Sequence, residues 1–256
     1  MVSEDEHKRA LDDIRENIAR NGQHIYLVFG EATPRFAYTI GVSESVGVEL
    51  ILAGAIFYRR DDFPEIIRNS VAQLKGSRDR ELIEVAEFGS FTLRKVDSSW
   101  ARELMLGAFD YYQKKDIPAL QIVPDQDHWT VDVPDMSVPW SAAHEPVWKW
   151  LREPWVYPVS QDSMAITDLS ALRGERITEA CRWEEDEWEL FAGAGPEVPK
   201  DEMRMVGLGT LLAVDPSLEP VVNLKIGAGL WRDATSDWHP WVRRGQTAEA
   251  QGNPES

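Results

Sequence analysis

Phe36-Ala37-Tyr38-Thr39-Ile40-Gly41 and Gly47-Val48-Glu49-Leu50-Ile51-Leu52-Ala53 decide the fold class. Each contains a five-residue run, 36–40 or 49–53, rich in β-branched, aromatic and aliphatic side chains. A glycine closes the first and another opens the second, so residues 36–40 and 49–53 read as two strands around a tight loop. Tyr38 and Thr39 are neighbours on a strand and therefore point to opposite faces.

Working outward, residues 3–20 read as an amphipathic helix. Ser3 and Glu6 have capping-box spacing, Leu11, Ile14 and Ile18 share a face, and Asn21-Gly22 stops it. The alternation over 23–29 predicts a strand, and Pro34 a turn. Asp61 or Asp62 can cap a second helix that buries Phe63, Ile66, Ile67, Val71 and Leu74. Strands follow at 82–87 and 91–96. A single third helix is expected from Ser98, with Leu104, Ala108 and Tyr111 on one side, and a strand at 117–123 ends this half. Strands and helices alternate irregularly with several hairpins, which argues α+β: two mixed units with mainly antiparallel sheets, joined by a Pro/Trp-rich segment.

That segment begins at Pro124. It carries prolines at 134, 139, 146, 154 and 158 and tryptophans at 129, 140, 148, 150 and 155, so it is expected to pack across the first unit. The expected division is residues 1–140, a connector 141–163, a second unit 164–242 and a disordered tail 243–256. Within the second unit the predictions are a strand at 165–167, a short helix at 169–172, strands near 177–183 and 188–191, an apolar run at 206–214, and a last strand near 228–232.

Bulk composition narrows the function. The 256 residues are 43% hydrophobic, enough for real cores, and no apolar run is long enough to span a bilayer. Ser3-Glu4-Asp5-Glu6 lacks the basic and apolar blocks of a signal peptide, and a lone cysteine, Cys181, fits a reducing compartment, so the expected location is cytoplasmic. There are 44 acidic against 27 basic residues, a net charge of −17. Such a field repels nucleic acid and anionic lipid and favours a basic protein partner; oligomeric state is not readable.

Candidate chemistry is sparse. Asp125, Asp127, His128, Asp132 and Asp135 could together hold a divalent ion, but their spacing fits no calcium loop, and the expectation is a solvated acidic loop with no metal. His24 sits among apolar strand neighbours, and His144-Glu145 and His239 lack an accompanying motif. Cys181 lies near Glu179 and Glu184 to Glu187, whose charge would raise a thiol pKa, so it reads as structural. Three Gly-x-Gly runs lack the context of a dinucleotide loop, and no cofactor is expected. The run Trp183-Glu184-Glu185-Asp186-Glu187-Trp188-Glu189 stands out. Trp183, Glu184, Glu185, Glu187 and Trp188 could meet a basic partner, acids steering and indoles supplying contact area. Equally, the run could be a solvated hairpin tip with its tryptophans facing the core.

Tyr38-Thr39-Ile40-Gly41 with Gly47-Val48-Glu49-Leu50-Ile51, Pro118-Ala119-Leu120-Gln121-Ile122-Val123-Pro124-Asp125 and Pro139-Trp140 resemble the bacterial domain-of-unknown-function 4262 family over about residues 8–140. Val48 stands where that family usually has proline. The resemblance implies a bacterial protein and transfers no catalytic residues. The second half is similar to immunity-type domains found beside polymorphic toxins, including the domain-of-unknown-function 2185 family. The similarity rests on residues 186–193, Asp215-Pro216-Ser217-Leu218 and residues 224–231, with Asp186-Glu187-Trp188 lacking that pattern's glycine. Such domains act by binding a toxin. The leading expectation is therefore a non-enzymatic interaction protein, an immunity protein that neutralises a toxin. The alternative is a hydrolase-like enzyme with a cleft around Tyr38, Thr39, Glu49 and Gln121.

Overall fold

A computed structural model describes residues 4–30, 32–77, 80–233 and 237–241. The expected tail at 243–256 and the capping role of Ser3 lie outside the described residues.

The first unit is a six-stranded sheet with helices on both faces. Its elements run α1 (Glu4–Asn21), β1 (His24–Val28), β2 (Phe36–Ile40), α2 (Ser43–Val46), β3 (Glu49–Ala53), α3 (Asp62–Gly76), β4 (Leu82–Val85), β5 (Gly89–Lys95), α4 (Ser98–Leu104), α5 (Leu106–Tyr112) and β6 (Ala119–Pro124). The strand order is β1-β2-β3-β6-β5-β4. Every pairing is antiparallel except β3 with β6, where Glu49 faces Ala119 and Ile51 faces Gln121. β2 and β3 are buried on both faces, so they read as largely apolar runs broken only by Thr39 and Glu49 instead of alternating ones. Alternate residues serve opposite cores. Ile51 and Tyr38 join Ile14 of α1 and Trp100 of α4, while Leu50 and Leu52 join Phe63, Ile66 and Ile67 of α3.

Two expectations are corrected here. Asp61 precedes α3 without capping it, and Asp62 accepts from the Arg59 amide at 2.7 Å, tying the helix start to the preceding turn. The single helix expected from Ser98 is two. Asp97 caps α4 by accepting from the Ser99 amide at 2.9 Å, and Met105 leaves helical geometry at φ −100°, ψ 37°. The physical reason lies elsewhere in the chain. The Tyr38 hydroxyl accepts from the Gly107 amide at 3.0 Å, satisfying a free donor at the start of α5 and re-aiming that helix onto β2.

The connector does pack across the first unit. The turn of 3-10 helix Pro146–Leu151 drives Val147 and Trp148 into the core beneath β2, where Ala213 from the second unit also lies. The second unit comprises β7 (Met164–Asp168), α6 (Leu169–Leu172), β8 (Glu179–Arg182), β9 (Glu187–Phe191), β10 (Met203–Gly207), α7 (Leu208–Val214), β11 (Ala228–Trp231) and β12 (His239–Pro240). Its sheet runs β10-β7-β9-β8-β11-β12 and is antiparallel apart from β7 with β9. Here one face alone is packed. Ala165, Ala180, Trp188, Leu190 and Val206 meet Leu172, Leu208, Leu211 and Leu212. No described helix is long and apolar enough to cross a membrane.

Candidate functional site

The expected cleft residues are interior ties. Tyr38 is 3% exposed, and Thr39, Glu49 and Gln121 have no exposure at all. The recorded β2–β3 register stops at Tyr38 opposite Ile51. Beyond it the Thr39 hydroxyl accepts from the Leu50 amide at 2.9 Å and donates to Glu49 Oε2 at 2.5 Å. Glu49 Oε1 accepts from the Gly41 and Ser43 amides at 3.1 and 2.9 Å and from the Tyr112 hydroxyl at 2.5 Å. Gly41 turns the chain toward this carboxylate at φ +100°, a left-handed conformation that side-chain-bearing residues rarely adopt. Burial and the hydrogen bond to Glu49 push the Tyr112 phenol above its ordinary pKa. Gln121 donates to the Pro134 carbonyl at 2.7 Å and accepts from the Met136 amide at 3.3 Å. These groups pin the strand ends and the connector; they do not converge on a solvent-reachable point.

The aspartate patch is dispersed in the same way. Asp125 pairs with His128 at 2.5 Å and takes the Ser90 amide, while Asp135 takes the Ser137 amide and hydroxyl. Asp132 is corrected from the expected solvated loop into the interior, at 2% exposure. It accepts from the Ile56 amide at 3.2 Å, and burial pushes its carboxyl above the usual range against the pull of Arg35. Arg35 donates to the Tyr58 carbonyl and lies 4.7 Å over the Phe63 ring, with its Nε unpartnered. Burial brings its pKa down to about 10. The two charges share a cavity of about 230 Å³ with Met205, Val206 and Thr210 of the second unit. Residues of both units line it, and the exposed Phe29 and Met205 at its edge make it an open seam between them.

The second unit carries the most accessible constellation. β8 and β9 form a hairpin whose tip is held rigidly from below. The Arg182 guanidinium donates to the Leu224 and Glu185 carbonyls at 3.0 and 2.7 Å and to the Glu184 carbonyl at 3.3 Å, 4.9 Å over the Trp188 ring. With the backbone carbonyls engaged, Glu184, Glu185, Asp186 and Glu187 turn outward and are exposed. The two tryptophans part company. Trp188 is 1% exposed and packs in the core, so the anchor role expected of it has no accessible surface; Trp183 is 43% exposed.

Trp183 belongs to the uncovered face of the sheet. Strand alternation places Glu179 and Cys181 of β8, and Trp183 just beyond it, on that face, beside Phe191, Glu189 and Glu187 of β9. All of these but Glu187 line a groove of about 360 Å³ with Met203 and Trp241. Gly229 sits under Trp241. A side chain there would come within 2.6 Å of the indole, and the Trp241 amide donates to the Gly229 carbonyl at 2.9 Å. Glu179 is engaged by the Gly195 amide at 2.9 Å, whereas the Glu189 carboxylate has no hydrogen-bonding partner among the described residues. Cys181 is buried in the groove's floor.

Sequence reasoning missed Arg232. Its side chain is 1% exposed, pairs with Asp215 at 2.7 Å, donates to the Ile177 carbonyl at 2.7 Å and to Ser217 Oγ at 2.6 Å, and lies 4.1 Å from the Trp238 ring centre. The Asp215-Pro216-Ser217 turn was the available signal, since its aspartate caps the following 3-10 turn and needs a cation once half-buried.

The geometry of the first unit now has a comparison. Residues 17–130 match the family described as Domain of unknown function (DUF4262). No curated protein and no solved structure matches the chain. The DUF4262 match takes in β1 through β6, including Gly41, Glu49 and Gln121, so the buried ties just described fall within the DUF4262 region. It ends before the connector and the second unit, where the exposed acidic hairpin lies.

Proposed function

We propose that this chain is a non-enzymatic interaction protein that binds a basic protein partner through the acidic hairpin of its second unit. The observation that carries this reading is the Arg182 lock. It fixes a tip bearing Glu184, Glu185, Asp186 and Glu187 beside the exposed Trp183, where a mobile loop would have to be ordered on binding. Acids on the rim speed encounter with a cationic surface, and an exposed indole supplies buried contact area. Toxin neutralisation is the setting we infer from the sequence resemblance of residues 186–193, 215–218 and 224–231 to immunity-type domains, a resemblance that lies outside the family match at 17–130.

The test is co-expression with the proteins encoded beside this chain. The wild type should form a stable complex with a basic one of them. Glu184→Lys, Glu185→Lys and Glu187→Lys together should slow association by about tenfold at low salt and by much less at high salt. An unchanged association rate, or no complex with any neighbouring product, sinks the reading.

A further inference from the structure

The open-face groove has the chemistry of a cation site. Its walls include two indoles and the Phe191 ring, and its floor presents Glu189 directly opposite Cys181 in the β8–β9 register. This chain places its own cations over three of its six other exposed or half-exposed indoles. Lys149 lies 4.4 Å over Trp150, Arg152 lies 4.7 Å over Trp140 and Arg232 lies 4.1 Å over Trp238. Among the described residues no cation of the chain stands over Trp183 or Trp241, although both side chains are exposed. The same groove holds the Glu189 carboxylate, unpartnered among the described residues, and the exposed Glu187 lies two positions before it on the same face of β9. Aromatic faces attract cations through their quadrupole, and a carboxylate behind them supplies the counter-charge.

We propose that this groove receives an arginine side chain of the basic partner, its guanidinium stacked on Trp183 and Trp241 and paired with Glu189. A guanidinium fits better than an ammonium for two reasons. Its flat face stacks on an indole, and its fork of donors can engage one carboxylate twice, whereas an ammonium is a strongly hydrated point charge. Met203 and Phe191 along the groove would cover the aliphatic stem of the incoming side chain. The proposal rests on the reading that the second unit binds a basic protein, and adds the residue that is recognised and where it is seated.

Calorimetric titration of the full chain with end-blocked tetra-arginine, tetra-lysine and tetra-citrulline peptides tests it without a known partner. The arginine peptide should bind saturably, the lysine peptide about tenfold more weakly, and the uncharged citrulline peptide not measurably. Glu189→Gln, which keeps the side chain's shape, should weaken arginine binding about tenfold, and Trp241→Ala should do the same. Since Trp241→Ala uncovers Gly229 and could loosen β12, Glu189→Gln is the deciding variant. The hairpin reversal at Glu184, Glu185 and Glu187 should weaken peptide binding at low salt and leave it nearly unchanged at about 1 M salt, where the Debye length falls to roughly 3 Å. Equal binding by wild type and Glu189→Gln, or equal affinity for arginine and lysine peptides, overturns the groove assignment. Loss of partner association on hairpin reversal together with an indifferent Glu189→Gln would leave the acidic-hairpin reading standing and remove the groove alone.

Discussion

The two sheets of this chain have the same number of strands, and each contains a single parallel pairing, yet they spend their side chains differently. The first sheet is covered on both faces at β2 and β3, while β4 and β5 alternate buried and exposed residues, and even its central polar residues Thr39, Glu49 and Gln121 are consumed in internal hydrogen bonds. The second is covered on one face and presents glutamates, tryptophans and methionines on the other. A polar group buried on both sides has to be satisfied by the protein itself, while one on an open face can be left for something else. The comparison explains why the buried carboxylate in the DUF4262-matched region is structural and the free one in the second unit is a recognition candidate.

Truncating neighbours in sequence should break or sharpen this contrast most strongly. Leu50→Ala and Ile51→Ala face opposite sides of β3, and each should cost about 2–5 kcal/mol in chemical denaturation, because both sides are packed. On β9 the equivalent adjacent pair should split. Leu190→Ala should cost about 2–5 kcal/mol, and Glu189→Ala should stay within about 0.5 kcal/mol. A large loss at Glu189 would show that the open face is structurally committed after all.

The pH dependence of stability should differ in sign between Asp132 and Asp215. Burial raises the Asp132 carboxyl, so the folded chain holds that proton more tightly than the unfolded one. Stability falls as pH rises from the ordinary aspartate value, about 3.9, through the raised value. Asp132→Asn keeps an acceptor for the Ile56 amide and should remove that fall, leaving the variant the more stable at neutral pH. Asp215 is held below the usual range: burial opposes the shift, but the hydrogen bonds from Ser217 and Arg232 overcome it. Its contribution is present above about pH 3.9 and lost as pH falls through the depressed value, so Asp215→Asn should destabilise at neutral pH and converge with wild type in acid. Urea midpoints measured from pH 3 to 7 check both; parallel profiles would contradict the placement of Asp132.

The smallest expected effect is on the hairpin itself. Reversing Glu184, Glu185 and Glu187 should change unfolding stability by no more than about 0.5 kcal/mol, since those side chains are exposed and Arg182 hydrogen-bonds at the tip only to backbone carbonyls. A larger loss would mean that the acids hold the tip and are not displayed by it.

Local signals read well and distant ones did not. The runs at 36–40 and 49–53 and the apolar face of α3 are visible in side-chain pattern, because each depends on neighbours a few positions away, whereas the run at 206–214 read only as apolar and divides into the end of β10 and α7. The break at Met105 was invisible because its cause is the hydroxyl of Tyr38, brought in by the sheet. The fate of Glu49 was invisible for the same reason: its partners include Tyr112, far along the chain. In the acidic run, strand alternation says that Glu187 and Trp188 face apart, but which of them faces the core depends on where α6 and α7 pack. That choice put one tryptophan inside and left the other in solvent.

The parallel pairing of β3 with β6 also bears on how the first unit assembles. Hairpins β1–β2, β2–β3 and β4–β5 join strands that are close in sequence, so each can form with little loop to close. The seam between Glu49 and Ala119 joins strands separated by most of the unit, including α3, α4 and α5. Its closure entropy must be met before any contact across it is gained. Two preformed halves, β1-β2-β3 and β6-β5-β4, would therefore meet late along that one seam. Substitutions in the tight hairpins should then act mainly on how fast the halves appear, and those along the Glu49–Ala119 seam mainly on how fast the finished unit comes apart.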